Sequence, residues 1–185
     1  MAGVFAAIQR QARVTRRRWH AEPVIRLQAL TADDWRLWRA LRLQALAEDP
    51  GAFGARLADW QGPGDREDRW RGRLSIPGGH DVMAWSDEQP CGMVSGVPAA
   101  GDNWITLISM WVTPPARGRG VGDALVAEIV RYASDVGAGG VHLGVAEDNQ
   151  AARRLYGRHG FRVNGEIGDL MPDGVARRLV MTLLL

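Results

Sequence analysis

The sequence predicts a single α/β domain, and three observations predict it. Short runs rich in Val, Ile and Leu alternate with stretches whose apolar residues recur at helical spacing. The length of 185 residues fits one domain of ordinary size. One apolar run passes through a glycine-rich corner straight into a helical pattern, the strand–loop–helix succession of α/β proteins.

Taken in order, "VIRLQAL" (24–30) reads as a first strand. Thr31 is placed to cap the helix that follows, with Asp33 and Asp34 favouring its N-terminus. Trp35, Trp38, Leu41, Leu43, Ala45 and Leu46 form its stripe until Pro50 and Gly51 stop it. A second, arginine-rich helix is expected over 65–74. "DVMAW" (81–85) and "CGMVSGV" (91–97) predict a hairpin around "SDEQP". "NWITLISMWV" (103–112) predicts a further strand, broken by Pro114 and Pro115. A helix is expected from about Arg117 to Val136, ended by glycines, then a strand at "VHLGVA" (141–146). Asn149 to His159 reads as a shorter helix stopped by Gly160, and "FRVNGEI" and "RRLVMTLLL" supply two final strands.

Charge is distributed unevenly. All 23 basic residues are arginine, which excludes mechanisms that need a lysine. Residues 1–22 hold five arginines against Glu22, and the rest of the chain holds eighteen against twenty acids, a net of −2. The tail therefore reads as a basic, solvated, flexible extension, and 23–185 as the single domain. "ARVTRRRW" could touch phosphates or an anionic surface, and the acid-poor tail faintly resembles a transit peptide. The body is not a basic surface, so nucleic acid is not an expected partner. No apolar run reaches the roughly 18 residues of a membrane span. The lone Cys91 allows no internal disulfide and suits a reducing compartment, so a cytoplasmic location is expected.

The functional signal lies in "MWVTPPARGRGVGDALV", Met110 to Val126. Gly118, Gly120 and Gly122 let an anion approach the backbone, and the helix they open offers free N–H groups and a favourable dipole. Arg117 and Arg119 add charge and fork-shaped donors. The Rossmann spacing fails, because the last glycine would be Asp123 or Leu125, and the Walker pattern fails for want of a lysine. On this corner alone a purely structural loop stays open.

A second motif follows the next strand: "NQAARRLYGRHGF", Asn149 to Phe161. Together the two resemble the GNAT superfamily of N-acetyltransferases. The first matches that family's R/Q-x-x-G-x-G/A signature as Arg117-Gly118-Arg119-Gly120-Val121-Gly122. The second matches its following strand–helix unit through Asn149, Ala152, Leu155, Tyr156, Gly160 and Phe161, and "LRLQALAEDPGAFG" looks like its first-helix segment. The resemblance implies the GNAT fold: a mixed, mostly antiparallel sheet of six to seven strands flanked by helices, splayed between the fourth and fifth.

It also implies acetyl-CoA as cosubstrate, with the pantetheine arm in the splay. Backbone groups of Met110 and Val112 would pair with that arm, and the Met110 N–H would bind the thioester oxygen. Trp111, between them, would turn its indole to the other face of the sheet. Amides of Arg117 to Gly122, Val121 included, would hold the pyrophosphate. Asn149 and Ala152 would border the arm, Asn149 capping its helix at the same time. Tyr156, two turns along from Asn149, would donate a proton to the departing thiolate; a phenol with pKa near 10 suits a thiol of about 8.5.

A general base is not evident, because "WITLISMWV" carries no carboxylate where many family members have a glutamate. Glu147, Asp148, His142 and His159 all have ordinary structural readings. The histidines and Cys91 show no ligand spacing, so no metal is expected. The resemblance implies a small-molecule or protein amine as acceptor; Phe53, Trp60 and Asp169 could line its site, with surface and core readings equally open. A CoA-binding sensor of the same fold is the alternative, and a homodimer through "LVMTLLL" stays open.

Overall fold

A computed structural model describes residues 24–170 and 177–185. The arginine-rich tail expected to be flexible lies outside them, as does part of "EIGDLMPDG". One seven-stranded sheet organises the described chain. Its strands are β1 (Arg26–Ala29), β2 (His80–Ser86), β3 (Gln89–Pro98), β4 (Trp104–Val112), β5 (Gly140–Ala146), β6 (Arg162–Leu170) and β7 (Arg177–Leu184). They lie in the order β1-β2-β3-β4-β5-β7-β6, and only β4 and β5 run parallel. The mixed, mostly antiparallel sheet expected from the sequence is the one found.

Among the described residues four α-helices cover it: α1 (Trp35–Glu48), α2 (Glu67–Arg73), α3 (Val121–Asp135) and α4 (Gln150–Arg158). Side-chain alternation along the strands makes two cores. On one face Leu125 and Ile129 of α3 and Phe161 pack on Val82, Val94, Leu107, Val141 and Leu143. On the other, Trp38, Leu41 and Leu46 of α1 and Trp70 of α2 pack on Met83, Met93 and Trp111. Each fully buried aliphatic side chain contributes roughly 1.5–3 kcal/mol.

Several boundaries differ from the sequence expectation for identifiable reasons. Thr31 caps a short 3-10 turn, Ala32–Asp34, through a capping box with Asp34, and α1 begins only afterwards. The α2 helix is shorter than expected, because Asp65 is committed to Arg39 and to the Trp70 indole. The hairpin turn narrows to Asp87 and Glu88, both at positive φ, the type I′ geometry that matches strand twist. Helix α3 starts at Val121 rather than Arg117, since Gly118 and Gly120 adopt φ of 73° and 82°, which no right-handed helix accommodates.

The sheet opens at its centre. Pairing between β4 and β5 runs from Trp104↔Gly140 to Leu107↔Leu143 and stops there, although both strands continue. A bulge lies at that point: Val94 of β3 faces both Ser109 and Met110, and Ser109 takes φ of 56°. A bulge bends and twists its strand, which carries the end of β4 away from β5.

Candidate active site

The splay between β4 and β5 forms one wall-to-wall cleft of about 460 Å³. Its β4 wall is made of backbone. Thr113 N–H donates to Cys91 O at 2.9 Å, and Trp111 stands opposite Met93, so both face β3. By alternation Met110 and Val112 turn their N–H and C=O groups the other way, where β5 has already departed. The Val112 carbonyl accepts from Arg117 Nε at 3.0 Å. The side chains alternate too. Met110 and Val112 pack with the α3 core, while the Trp111 indole lies in the α1–α2 core and donates to Asp49 Oδ2 at 2.6 Å.

One end of the cleft is the glycine loop. Gly120 is the N-cap of α3 and supplies no side chain, so the first N–H groups of the helix have no side-chain acceptor. A methyl built on Gly118 would meet nothing within 4 Å, so that side of the loop is open. Gly122 is needed for a different reason. A Cβ there would come within 3.1 Å of Leu155 and 3.5 Å of Met110, so the glycine sets how closely α3 approaches α4. An uncapped helix start behind an open loop is a fit for an anionic group such as a pyrophosphate.

Most, not all, of the residues singled out in the sequence line this cleft. Met110, Trp111, Val112, Arg117, Gly118, Gly120, Gly122, Asn149, Ala152 and Tyr156 do. Arg119 is exposed on the loop and Val121 is buried in the α3 core, so any part they take is through backbone amides. The half-exposed Arg117 guanidinium turns toward the end of α1, with Nη2 donating to Asp49 Oδ2 at 2.5 Å. Asn149 caps α4 as expected, its Oδ1 accepting from Ala152 N–H at 3.0 Å.

Tyr156 is 6% exposed and packs edge-on against Phe161. Burial pushes its phenol well above the ordinary value of 10.0, so it stays protonated and neutral throughout the physiological range. The other polar groups considered as bases sit in structural contacts or in solvent. His142 Nε2 bonds Thr106 Oγ1 at 2.6 Å, His159 Nε2 bonds Asp123 Oδ1 at 3.1 Å, and Glu147 and Asp148 are exposed. Cys91 is buried, which raises its thiol pKa. Phe53 and Trp60 belong to the α1–α2 core, and the Asp169 side chain lies outside the described part. Among the described residues no three His, Cys, Asp or Glu side chains come together as a metal site.

Sequence reasoning missed Asp49 as a cleft residue. It sits just past the end of α1, read from sequence only as part of a helix stop, and one of its oxygens holds both the Trp111 indole and the Arg117 guanidinium. It thus ties the end of α1 to the start of the glycine loop. Asp123, in the first turn of α3, was missed likewise. Its carboxyl is held below the usual range chiefly by Arg158 of α4, whose Nη2 stands 2.9 Å away.

Comparison with known proteins agrees with this geometry. The sequence model of the Acetyltransferase (GNAT) family matches residues 31–161, and the chain belongs to that family of N-acetyltransferases. An uncharacterized N-acetyltransferase of Mycobacterium tuberculosis is 38% identical over 64 residues, 35% of this chain. That match spans only 41% of the relative's length. A GNAT acetyltransferase from Streptococcus pneumoniae superposes with a TM-score of 0.72 at 18% identity, over 88% of this chain and 99% of its own. The yncA protein of Salmonella typhimurium, solved with its cofactor acetyl-CoA, superposes at 0.71 and 18% identity, over 88% and 94%. At those identities the likeness shows the fold. No described helix is long and apolar enough to cross a membrane.

Proposed function

We propose that residues 23–185 form one catalytic unit that transfers the acetyl group of acetyl-CoA directly to a primary amine. The observation that carries this is a coincidence of three features on one cleft. The open edge of β4 at Met110, the uncapped glycine loop at the start of α3, and the buried neutral phenol of Tyr156 all face it.

Acetyl-CoA, when bound, supplies the thioester. The amides of Arg117 to Gly122 would hold its pyrophosphate, and the β4 edge at Met110 and Val112 would pair with its arm as an added strand would. The Met110 N–H would face the thioester oxygen, where negative charge grows as the amine attacks; a fixed donor there is worth several kcal/mol. The acceptor ammonium first loses a proton to water. Its nitrogen then bonds the acetyl carbon as the carbon–sulfur bond breaks, and a second proton leaves the nitrogen for solvent. The Tyr156 hydroxyl protonates the leaving sulfur and regains its own proton from water. Asn149 holds the α4 N-terminus in register with Tyr156, and Asp49 holds the glycine loop against α1.

The experiment is acetyl transfer to a panel of primary amines, followed as release of free thiol. Activity with at least one amine, lost when acetyl-CoA is omitted, is the expected result. A folded chain that binds no acetyl-CoA would contradict the reading.

A further inference from the structure

The face of the sheet beneath α1 and α2 carries more positive charge than its carboxylates answer. Arg73 of α2 is well satisfied: Nη1 donates to Asp81 Oδ1 at 3.0 Å and Nη2 to Ser95 Oγ at 2.7 Å, with Ser109 Oγ at 3.4 Å. Asp81 is 4% exposed and accepts the Ser95 hydroxyl as well. Arg42 of α1 is not satisfied. It is 8% exposed, its guanidinium stacks 4.3 Å over the Phe53 ring, and its buried Nη1 has no hydrogen-bond partner. Among the described residues it makes no ion pair.

Burial, and secondarily the charge of Arg73, bring the Arg42 pKa from 12.5 down to about 10, so it remains cationic at neutral pH and Arg73 is its neighbour. A third arginine arrives from the opposite wall. Arg178 of β7 crosses Gly144, where a Cβ would meet its Cγ at 2.7 Å, and its Nη2 reaches Gly54 beside Phe53.

Burying a guanidinium without a partner is costly, and a native fold holds one where a counter-group completes it. The arginines adjoin residues that line the cleft. Ser109, which Arg73 touches, is the bulge residue next to Met110, while Ala52 and Gly144 line the cleft itself. Arg42 and Arg73 set against Asp81 leave one excess positive charge, which one carboxylate neutralises with the two-pronged geometry that guanidinium favours.

We propose that the acceptor is a small amine that also bears a carboxylate, as a free amino acid does. Its carboxylate docks at Arg42 beside Arg73, with Arg178 at the rim, and its amine points to β4 at Met110. This rests on the acetyltransferase reading above and narrows its acceptor class. Phe53, over which Arg42 stacks, then fixes the plane of the guanidinium.

The test compares acetyl transfer to the standard amino acids with transfer to their α-amides, using the full chain, with phosphoethanolamine as a second arm and acetyl-CoA binding measured on the same samples. The expected result is a preference for acid over amide on the order of a hundredfold in kcat/KM for the best acceptor, expressed mainly in acceptor KM. Arg42→Gln should erase that preference and leave the acetyl-CoA Kd unchanged. Arg42→Lys keeps the charge, guards against loss of the fold, and should retain part of the preference. A chain that binds acetyl-CoA but treats acids and amides alike, acetylates neither, or prefers phosphoethanolamine overturns the proposal and leaves cofactor binding standing. A chain that does not bind acetyl-CoA overturns both readings.

Discussion

The cleft has two sides, built by different means. Toward α3 and α4 the groups proposed to hold acetyl-CoA are chiefly backbone, namely the free edge of β4, the glycine loop and the uncapped start of α3, beside the side chains of Asp123, Asn149, Tyr156 and Arg158. Toward α1 and α2 it is lined by Asp49, Ala52 and Trp111, and the proposed acceptor arginines, Arg42 and Arg73, adjoin that lining, with Arg178 reaching Gly54 from β7. Backbone groups sit where helix and strand geometry puts them, so many sequences can build the same site. Side-chain groups depend on which residue stands at each position, so they can differ while the fold stays the same. The first side suits a constant ligand and the second a particular one.

Mutations should separate the sides, and the largest effect is expected on the reacting atoms. Tyr156→Phe removes the proposed proton donor and keeps the ring that packs on Phe161. We expect kcat to fall by roughly 10²–10⁴ with little change in acetyl-CoA Kd, as steady-state kinetics and calorimetry would report. A variant as active as the wild type would remove Tyr156 from the chemistry.

Asp49→Ala tests the junction. It frees Arg117 and leaves the Trp111 indole without its acceptor. The salt bridge is half solvated, so its loss is discounted, and we expect acetyl-CoA to bind about tenfold more weakly with a modest fall in Tm. Gly144→Ala pushes on the Arg178 stem and should raise acceptor KM a few-fold, with a smaller effect on acetyl-CoA Kd because Gly144 also lines the cleft. Equal effects on both constants would mean that the two sides are not separate.

The smallest effect is on stability. Because burial raises the Tyr156 pKa, the folded state keeps its proton where the unfolded chain would lose it. That contribution is complete below pH of about 10 and is lost as pH rises further, so Tm of the wild type should drop more steeply in that alkaline range than Tm of Tyr156→Phe.

The same division explains what was legible beforehand. Seven strands, four helices and the glycine corner follow from local signals: period-two alternation, the Thr31 cap and the succession of Gly118, Gly120 and Gly122. Boundaries were lost where a single torsion or a distant partner decides, as at Val121 and Asp65. Asp49 reads in sequence as one more residue before Pro50, because nothing local reveals that Trp111 and Arg117 will meet it across more than sixty residues. Arg42 reads as one arginine among many, because its burial is a property of Phe53 and the loop above it.

The central claim is that the backbone side of the cleft holds acetyl-CoA. Calorimetric titration of acetyl-CoA into the wild type and a Gly120→Trp variant tests it most directly, since Gly120 sits at φ of 82° where a bulky side chain both strains and fills the loop. We predict binding in the micromolar range by the wild type, lost in a folded variant. Equal binding by both, or none by a folded wild type, would contradict the account.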